Sequence, residues 1–405
     1  MHPQEAAFLE RVAADPEGDG PRLVFADWLD ERNDPRGEFI RVQIALARLA
    51  ADDPRASALR DREATLLARY HAPWSEPLRG IAGWTEFRRG LIETVNVEAR
   101  LFLRRAADLF RRAPVRHVRF LDVGSTLDRL MQSPYLARLS ALTISNQHID
   151  ERLTRSLVES PHLGGLRSLN IGRNRVGDRG AERLAWSPRF GNLTSLDLSD
   201  NAVGDPGART IADSAHLSRL VYLELRRNEL SRFGLGALCG SPTLAQLRYL
   251  GMALNHVRAP QESTPPPAGI VVLESLDLSE NGLTPDAITM LTSLPGLGGL
   301  TRLDLGHNEV GNVGAARLAA WPAAASLRIL RLVSNRIGDD GARALARSLY
   351  FPQLTELDLM DNPVHDRGGY EFLNTANLPR LRRLGVPIQG MTPKMRRALA
   401  ARYGG

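Results

Sequence analysis

The stretch Leu193–Asn201 reads LTSLDLSDN. It returns as LRSLNIGRN at Leu166–Asn174, LTRLDLGHN at Leu300–Asn308, LRILRLVSN at Leu327–Asn335 and LTELDLMDN at Leu354–Asn362. The closing asparagine recurs at Asn174, Asn201, Asn228, Asn255, Asn281, Asn308, Asn335 and Asn362, in steps of 27, 27, 27, 26, 27, 27 and 27 residues. So regular a period marks stacked coils, because a supersecondary unit with one apolar face can bury it only against copies of itself.

Within each copy the leucines alternate, as Leu196 with Leu198 and Leu303 with Leu305, the period of two of a strand with one buried face. After the asparagine come GDRGAERLA (177–185), GNVGAARLA (311–319) and GDDGARALA (338–346). Glycine and aspartate there read as turn and N-cap, and the alanines as a short helix packed tightly on its strand. Strand, turn, helix and return give parallel strands joined by right-handed crossovers. Strands about 4.8 Å apart and helices roughly 10 Å apart bend such a stack with its strands on the inside.

The repeated string resembles the leucine-rich repeat, and its helix-bearing unit is similar to the ribonuclease-inhibitor-like subclass. The resemblance implies an α/β fold, a right-handed horseshoe solenoid with parallel strands concave and helices convex. It also implies that the eight asparagines are structural, their amides bonding backbone groups of the turn in a ladder from coil to coil. Those groups would be costly to bury unpaired.

The solenoid is expected over 81–405, with atypical first coils at 84–138, regular coils at 139–388 and a capping helix at 392–403. Ile92, Val95 and Val97, then Val115, Val118 and Phe120, mark the first coils, with a helix over 99–113 between them. Gln147 replaces the ladder asparagine, and Leu381, Leu384 and Val386 run into Pro387 without one. Thr392 and Pro393 read as the start of the closing helix. One coil departs: HVRAPQESTPPPAGIVV stands where a helix belongs, and its prolines cannot sustain one. Residues 258–268 are therefore expected to be an exposed loop or hinge.

Residues 1–80 differ in texture. Asp34-Pro35 and Asp53-Pro54 read as helix starts, and Phe39, Val42, Leu46 and Leu49 recur at helical spacing, giving a small all-α domain with Phe25 and Trp28 in its core. The segment RLVFADWLDERNDPRGEFIRVQ (22–43) resembles the N-terminal repeat-companion domain of some bacterial families, which implies a bacterial source and no activity of its own.

The net charge is +6, yet only Lys394 among 52 basic residues is lysine, so the basicity reads as codon bias more than as a nucleic-acid signature. Residues 81–138 hold 11 basic and 6 acidic residues, concentrated around Arg100, Arg104, Arg105, Arg111, Arg112 and Arg119. Phe102, Ala106, Leu109 and Ala113 give that helix a buried stripe, with the arginines as its solvated face. Anion or nucleic-acid binding over Arg100–Arg119 is the rival reading.

Met1–Val12 lacks the apolar core of a leader, and no run approaches the roughly 18 apolar residues of a membrane span. A cytoplasmic, monomeric protein is expected, with the single Cys239 a small buried side chain. No P-loop, HExxH, GxSxG or thiolate cluster occurs, so neither an enzyme nor a cofactor or metal is expected.

What remains is surface. The outward residues between the core leucines form a column of Asn170, Asp197, Glu224, Gly251, Asp277, Asp304, Arg331 and Asp358, with Tyr222 and Tyr249 on one flank and Arg226 on the other. Tyrosine and arginine are enriched in interface hot spots. Asp197, Tyr222, Glu224, Arg226, Arg227, Tyr249, Asp277, Asp304, Arg331 and Asp358 are therefore the candidate partner-binding residues of a protein-interaction scaffold. Regulation of a partner enzyme or GTPase by covering its active face is the alternative within binding. An acidic column that merely solubilises the sheet is the competing structural reading.

Overall fold

The computed structural model describes residues 2–50, 53–258, 271–294, 296–387 and 389–403, so all but the first residue of the 258–268 segment lies outside it. Contacts divide the chain into two compact units, Met1–Gln147 with Glu159–Ser168, and His148–Val158 with Leu169–Gly405.

The first unit opens with helices α1 (Pro3–Ala14), α2 (Gly20–Asp30), α3 (Arg36–Arg48) and α4 (Arg55–Ser75). Asp34 and Asp53 each accept the backbone N–H two residues on, at 2.9 Å, and so start α3 and α4. Leu9, Val12, Phe25, Ala26, Leu29, Ile40 and Ile44 form a core closed by Leu91, with Trp28 packed against it. Buried Arg22 pairs with buried Glu93, an arrangement that compensates each charge where water cannot.

Strands β1 (Trp84–Arg88) and β2 (Leu91–Glu98) follow, then helix α5 (Ala99–Arg112), β3 (His117–Leu121) and β4 (Ala141–Thr143). β2 to β4 are parallel, whereas β1 pairs with β2 antiparallel. This hairpin was not anticipated by the reading of 84–138 as coils. Its cause is local: Arg89 and Gly90 both take positive φ, 47° and 86°, the geometry of a two-residue hairpin turn. Gln147 does serve in place of asparagine, its Oε1 accepting the N–H of Val123 at 3.0 Å.

The second unit carries β5 (Ser168–Asn170, whose first residue belongs to the first unit), β6 (Ser195–Asp197), β7 (Tyr222–Glu224), β8 (Tyr249–Gly251), β9 (Ser275–Asp277), β10 (Arg302–Asp304), β11 (Ile329–Arg331), β12 (Glu356–Asp358) and β13 (Arg383–Gly385). They neighbour one another in chain order. From β6 onward they pair in parallel and in register, so Ser195, Tyr222, Tyr249, Ser275, Arg302, Ile329, Glu356 and Arg383 share one row. Leu196, Leu198, Leu223, Leu225, Leu250, Leu276, Leu278, Leu303 and Leu305 are buried as a continuous spine. Short helices return the chain from strand to strand, except between β8 and β9, where residues 259–270 lie outside the described ones, giving a horseshoe solenoid with a strand-lined and a helix-lined face.

The asparagines hold coil to coil. Asn228 accepts the N–H groups of Asn201 and Val203 at 3.1 and 2.9 Å and donates to the carbonyls of Leu198 and Leu225 at 3.0 and 2.9 Å. Asn308 and Asn362 make the same bonds to their neighbours. Asn174, Asn201, Asn255, Asn281 and Asn335 likewise accept from the preceding coil. The residue before each ladder asparagine, from Arg173 to Asp361, lies at φ between 52° and 58° although none is glycine. The ladder fixes a backbone conformation that the side chains alone would resist.

A second ladder corrects the reading of the aspartates as caps of their own helices. Asp178 Oδ1 accepts the N–H groups of Gly204 and Gly207, Asp205 those of Ser231 and Gly234, and Asp339 those of His365 and Gly368. Each cap therefore serves the helix of the next coil, at a helix start that has free donors and a favourable dipole. At the far end, Tyr403 of the closing helix Pro393–Tyr403 donates to the carbonyl of Phe372 at 2.7 Å. Among the described residues no helix is long and apolar enough to cross a membrane.

Candidate functional site

The outward row of the second unit has a repeated local chemistry. Asn170, Asp197, Glu224, Asp277, Asp304 and Asp358 each accept the backbone N–H two residues on, at 2.9–3.0 Å. A short side-chain acceptor at the strand exit satisfies an N–H that leaves the ladder. The acidic column thus has a turn-forming role, unrecognised in the sequence although its periodicity was visible. That role needs an oxygen acceptor but no charge, as Asn170 demonstrates.

Tyr222 and Tyr249 meet as the register requires, their rings 4.3 Å apart and inclined by only 4°. Both hydroxyls donate to one oxygen, Glu224 Oε2, at 3.3 and 3.0 Å. Gly251 makes room for that carboxylate, since a Cβ there would lie 2.4 Å from its oxygens. Burial holds the Glu224 carboxyl above its usual range against the opposing Arg226 N–H and Tyr249 hydroxyl, and Asp197 and Asp277 add to the rise. Tyr222 is pushed up to about 12 by burial and by Glu224. Tyr249 is raised for the same two reasons. Tyr222 nonetheless remains 37% exposed, so the stacked pair keeps a solvent-facing edge.

The charged candidates fall into two groups. Arg331 lies between Asp304 and Glu356, at 3.6 and 3.5 Å. Burial raises Asp304, and Asp277 reinforces it, while the N–H of Gly306 and Arg331 oppose the rise. Arg226 reaches Glu280 at 3.5 Å, whereas Arg227 sits at the turn before Asn228 and faces Asp200 at 3.8 Å. Arg227 therefore borders the strand face instead of lining it. Asp197, Glu224 and Asp277 make no ion pair among the described residues, and Asp358 stands apart from this trio on β12.

Elsewhere the chemistry is sparse. Around α5, Arg105 and Arg111 both pair with Asp108, Arg112 donates to the carbonyl of Pro77, and Arg119 lies 4.9 Å from the Trp84 ring and 3.6 Å from Glu86. Most of the arginines of the rival anion site are thus engaged locally. Cys239 is buried, its thiol pushed up to about 12. Among the described residues no group of three or more His, Cys, Asp or Glu side chains could hold a metal ion.

Comparison with known families places leucine-rich repeats at residues 166–185, 192–212, 300–319, 323–346 and 352–373. No curated protein matches the chain. Among solved structures the chain is similar to one from the yeast Rad7 and Elc1 complex, at 17% identity and TM-score 0.48, covering 92% of both chains. It is similar to an internalin (inlF) of Listeria monocytogenes at 19% identity and TM-score 0.45, over 76% of this chain and 84% of that one. It is also similar to the APL1 leucine-rich repeat domain at 19% identity and TM-score 0.40, over 67% and 61%.

Proposed function

We propose that this leucine-rich-repeat chain is a non-enzymatic module that holds a protein partner on the strand face of its second unit. The partner would lie over Tyr222, Glu224, Tyr249 and Asp277, with Asp197, Arg226, Asp304, Arg331 and Asp358 around them. In this reading residues 1–80 are a helical cap, residues 81–405 are the solenoid, and the protein works as a monomer in the cytoplasm.

The parallel tyrosine pair carries the reading. Two aromatic rings on adjacent strands, fixed by one shared carboxylate, give a large contact surface with little rotamer freedom left to lose on association. The core leucines already stabilise the sheet, and the i+2 acceptors already satisfy its turns, so the fold makes no demand for tyrosine at these two outward positions.

Affinity capture from the source lysate tests the proposal. Tyr222→Ala combined with Tyr249→Ala should abolish capture by the full chain while leaving it folded. Phe233→Ala combined with Tyr370→Ala, which removes exposed aromatics from two helices, should leave capture intact. The reverse pattern would move the docking site to the helix face.

A further inference from the structure

We propose that the docked segment presents two basic side chains, arginine above all, that seat on either side of the tyrosine pair in two slots of like make-up. The inference rests on the docking reading above and adds the chemistry of the partner.

The row Ser195, Tyr222, Tyr249, Ser275 contains the geometry. The two rings cover each other's inner faces, and the residues beyond them are serines. Each outer face is therefore bordered by a side chain too small to cover it. Two residues along the same strands stand Asp197 beside Ser195 and Asp277 beside Ser275. Each slot thus has an aromatic wall, a serine floor and a carboxylate end. A planar guanidinium satisfies all three, stacking on the ring while its N–H groups reach the carboxylate.

Charge points the same way. Where acidic residues return, at Asp304 on β10 and Glu356 on β12, Arg331 stands between the carboxylates. Around the tyrosines, among the described residues, no cation pairs with Asp197, Glu224 or Asp277. Asp197, Glu224 and Asp277 share the middle row, and Gly251 places no side chain between the last two. Asp277 uses only Oδ1 on its own turn, while Asp197 also holds Asn170 through Oδ2. Like charges on neighbouring strands repel, and cations from a partner would relieve them. Two resident cations border the second slot. Arg302 follows Ser275 in the row and Arg226 pairs with Glu280, but neither forms an ion pair with Asp277. The chain's own +6 charge disfavours a basic partner at long range, so attraction acts locally, within about one Debye length of 8–10 Å.

The slots also set a spacing. Ring centroids 4.3 Å apart, with a stacked group about 3.5–4 Å beyond each ring, separate the two cations by roughly 12 Å. An extended segment rising about 3.3 Å per residue meets that distance with basic residues four positions apart.

Fluorescence polarisation with the full chain tests this. The probe is a threonine-rich peptide bearing two arginines four positions apart. Its controls are the same peptide with citrulline for both arginines and one with the arginines adjacent. Asp197→Asn combined with Asp277→Asn removes charge but keeps the oxygen that caps the turn, so the fold survives. That variant should weaken the arginine peptide roughly tenfold or more, and more at low salt than at high. Asp213→Asn combined with Asp286→Asn, a control on exposed helix positions, should change nothing. No binding of the arginine peptide, equal binding of the citrulline peptide, equal binding of the adjacent-arginine peptide, or an unchanged Asn double variant would overturn the proposal. If lysate capture is lost with the tyrosine variants but retained with the Asn double variant, docking stands and the basic-partner inference falls. If capture ignores the tyrosines, docking itself falls.

Discussion

Strands β6–β9 and strands β10–β12 share a backbone, a ladder and a row of turn-capping side chains, yet they treat charge differently. In the second set Arg331 lies within 3.6 Å of two carboxylates on its neighbours and balances them, while Asp358 makes no ion pair among the described residues. In the first set three carboxylates surround a tyrosine pair without an ion-pair partner, and one of them is held by both hydroxyls. The repeat supplies the same frame to both, so the difference lies in what the outward positions are left to do. A surface that balances itself needs no partner. A surface with rigid rings and unbalanced charge is the one we propose takes a partner.

The frame should prove common to both sets. Asn228→Ala and Asn308→Ala each leave several buried backbone groups unpaired, and each should cost about 3 kcal/mol or more in denaturant unfolding. A large inequality between them would show that the two sets are not equivalent scaffolds. Glu224→Ala strands two tyrosine hydroxyls and the N–H of Arg226, and should cost about 1–2 kcal/mol. Asp358→Ala strands only the N–H of Met360 and should cost less in the same assay. Arg331→Gln removes the balancing cation. It should lower stability by no more than about 1 kcal/mol, because the pair is partly exposed, and it should leave binding of the arginine peptide unchanged, since β10–β12 offers no aromatic wall.

The smallest effect is on pH dependence. The folded-state carboxyl of Glu224 lies above its ordinary 4.5, so its ionisation disfavours the folded state, a penalty that builds as the pH rises from 4.5 and is complete above the raised value. Acidification through the raised value toward 4.5 relieves the penalty, and stability rises. Thermal melts of Glu224→Gln should lack this gain across the same window, and an identical pH slope in both proteins would contradict the assignment.

Much of this architecture was legible in the chain. Leu196, Leu198, Leu303 and Leu305 repeat at the period of a half-buried strand, and Asn228 recurs at coil length, so spine and ladder followed from spacing. The neighbouring of Tyr222 and Tyr249 followed from the same arithmetic. What spacing could not give was direction. Asp178 lies on the first turn of its own helix and was read as capping it, but its carboxylate turns to the next coil and meets Gly204 and Gly207. The strand-exit bond from Asp197 to the N–H of Ser199 was equally hidden, since a local side-chain bond leaves no periodic trace beyond the acidic residue itself. The hairpin of β1 and β2 did leave a signal in Arg89-Gly90, which the search for coils passed over. Most of the candidate residues came together on one face, while Arg227 turned aside because the ladder holds it in a left-handed turn.

Site-specific photo-cross-linking tests the central claim most directly. A photoreactive residue at Arg302, one strand beyond Ser275 in the same row of the strand face, and another at Thr289, on the helix Pro285–Ser293, would each be irradiated in the full chain with source lysate. The account predicts a discrete adduct from position 302 that disappears with Tyr222→Ala and Tyr249→Ala, and none from position 289. An adduct at 289 alone, or one at 302 indifferent to the tyrosines, would contradict it.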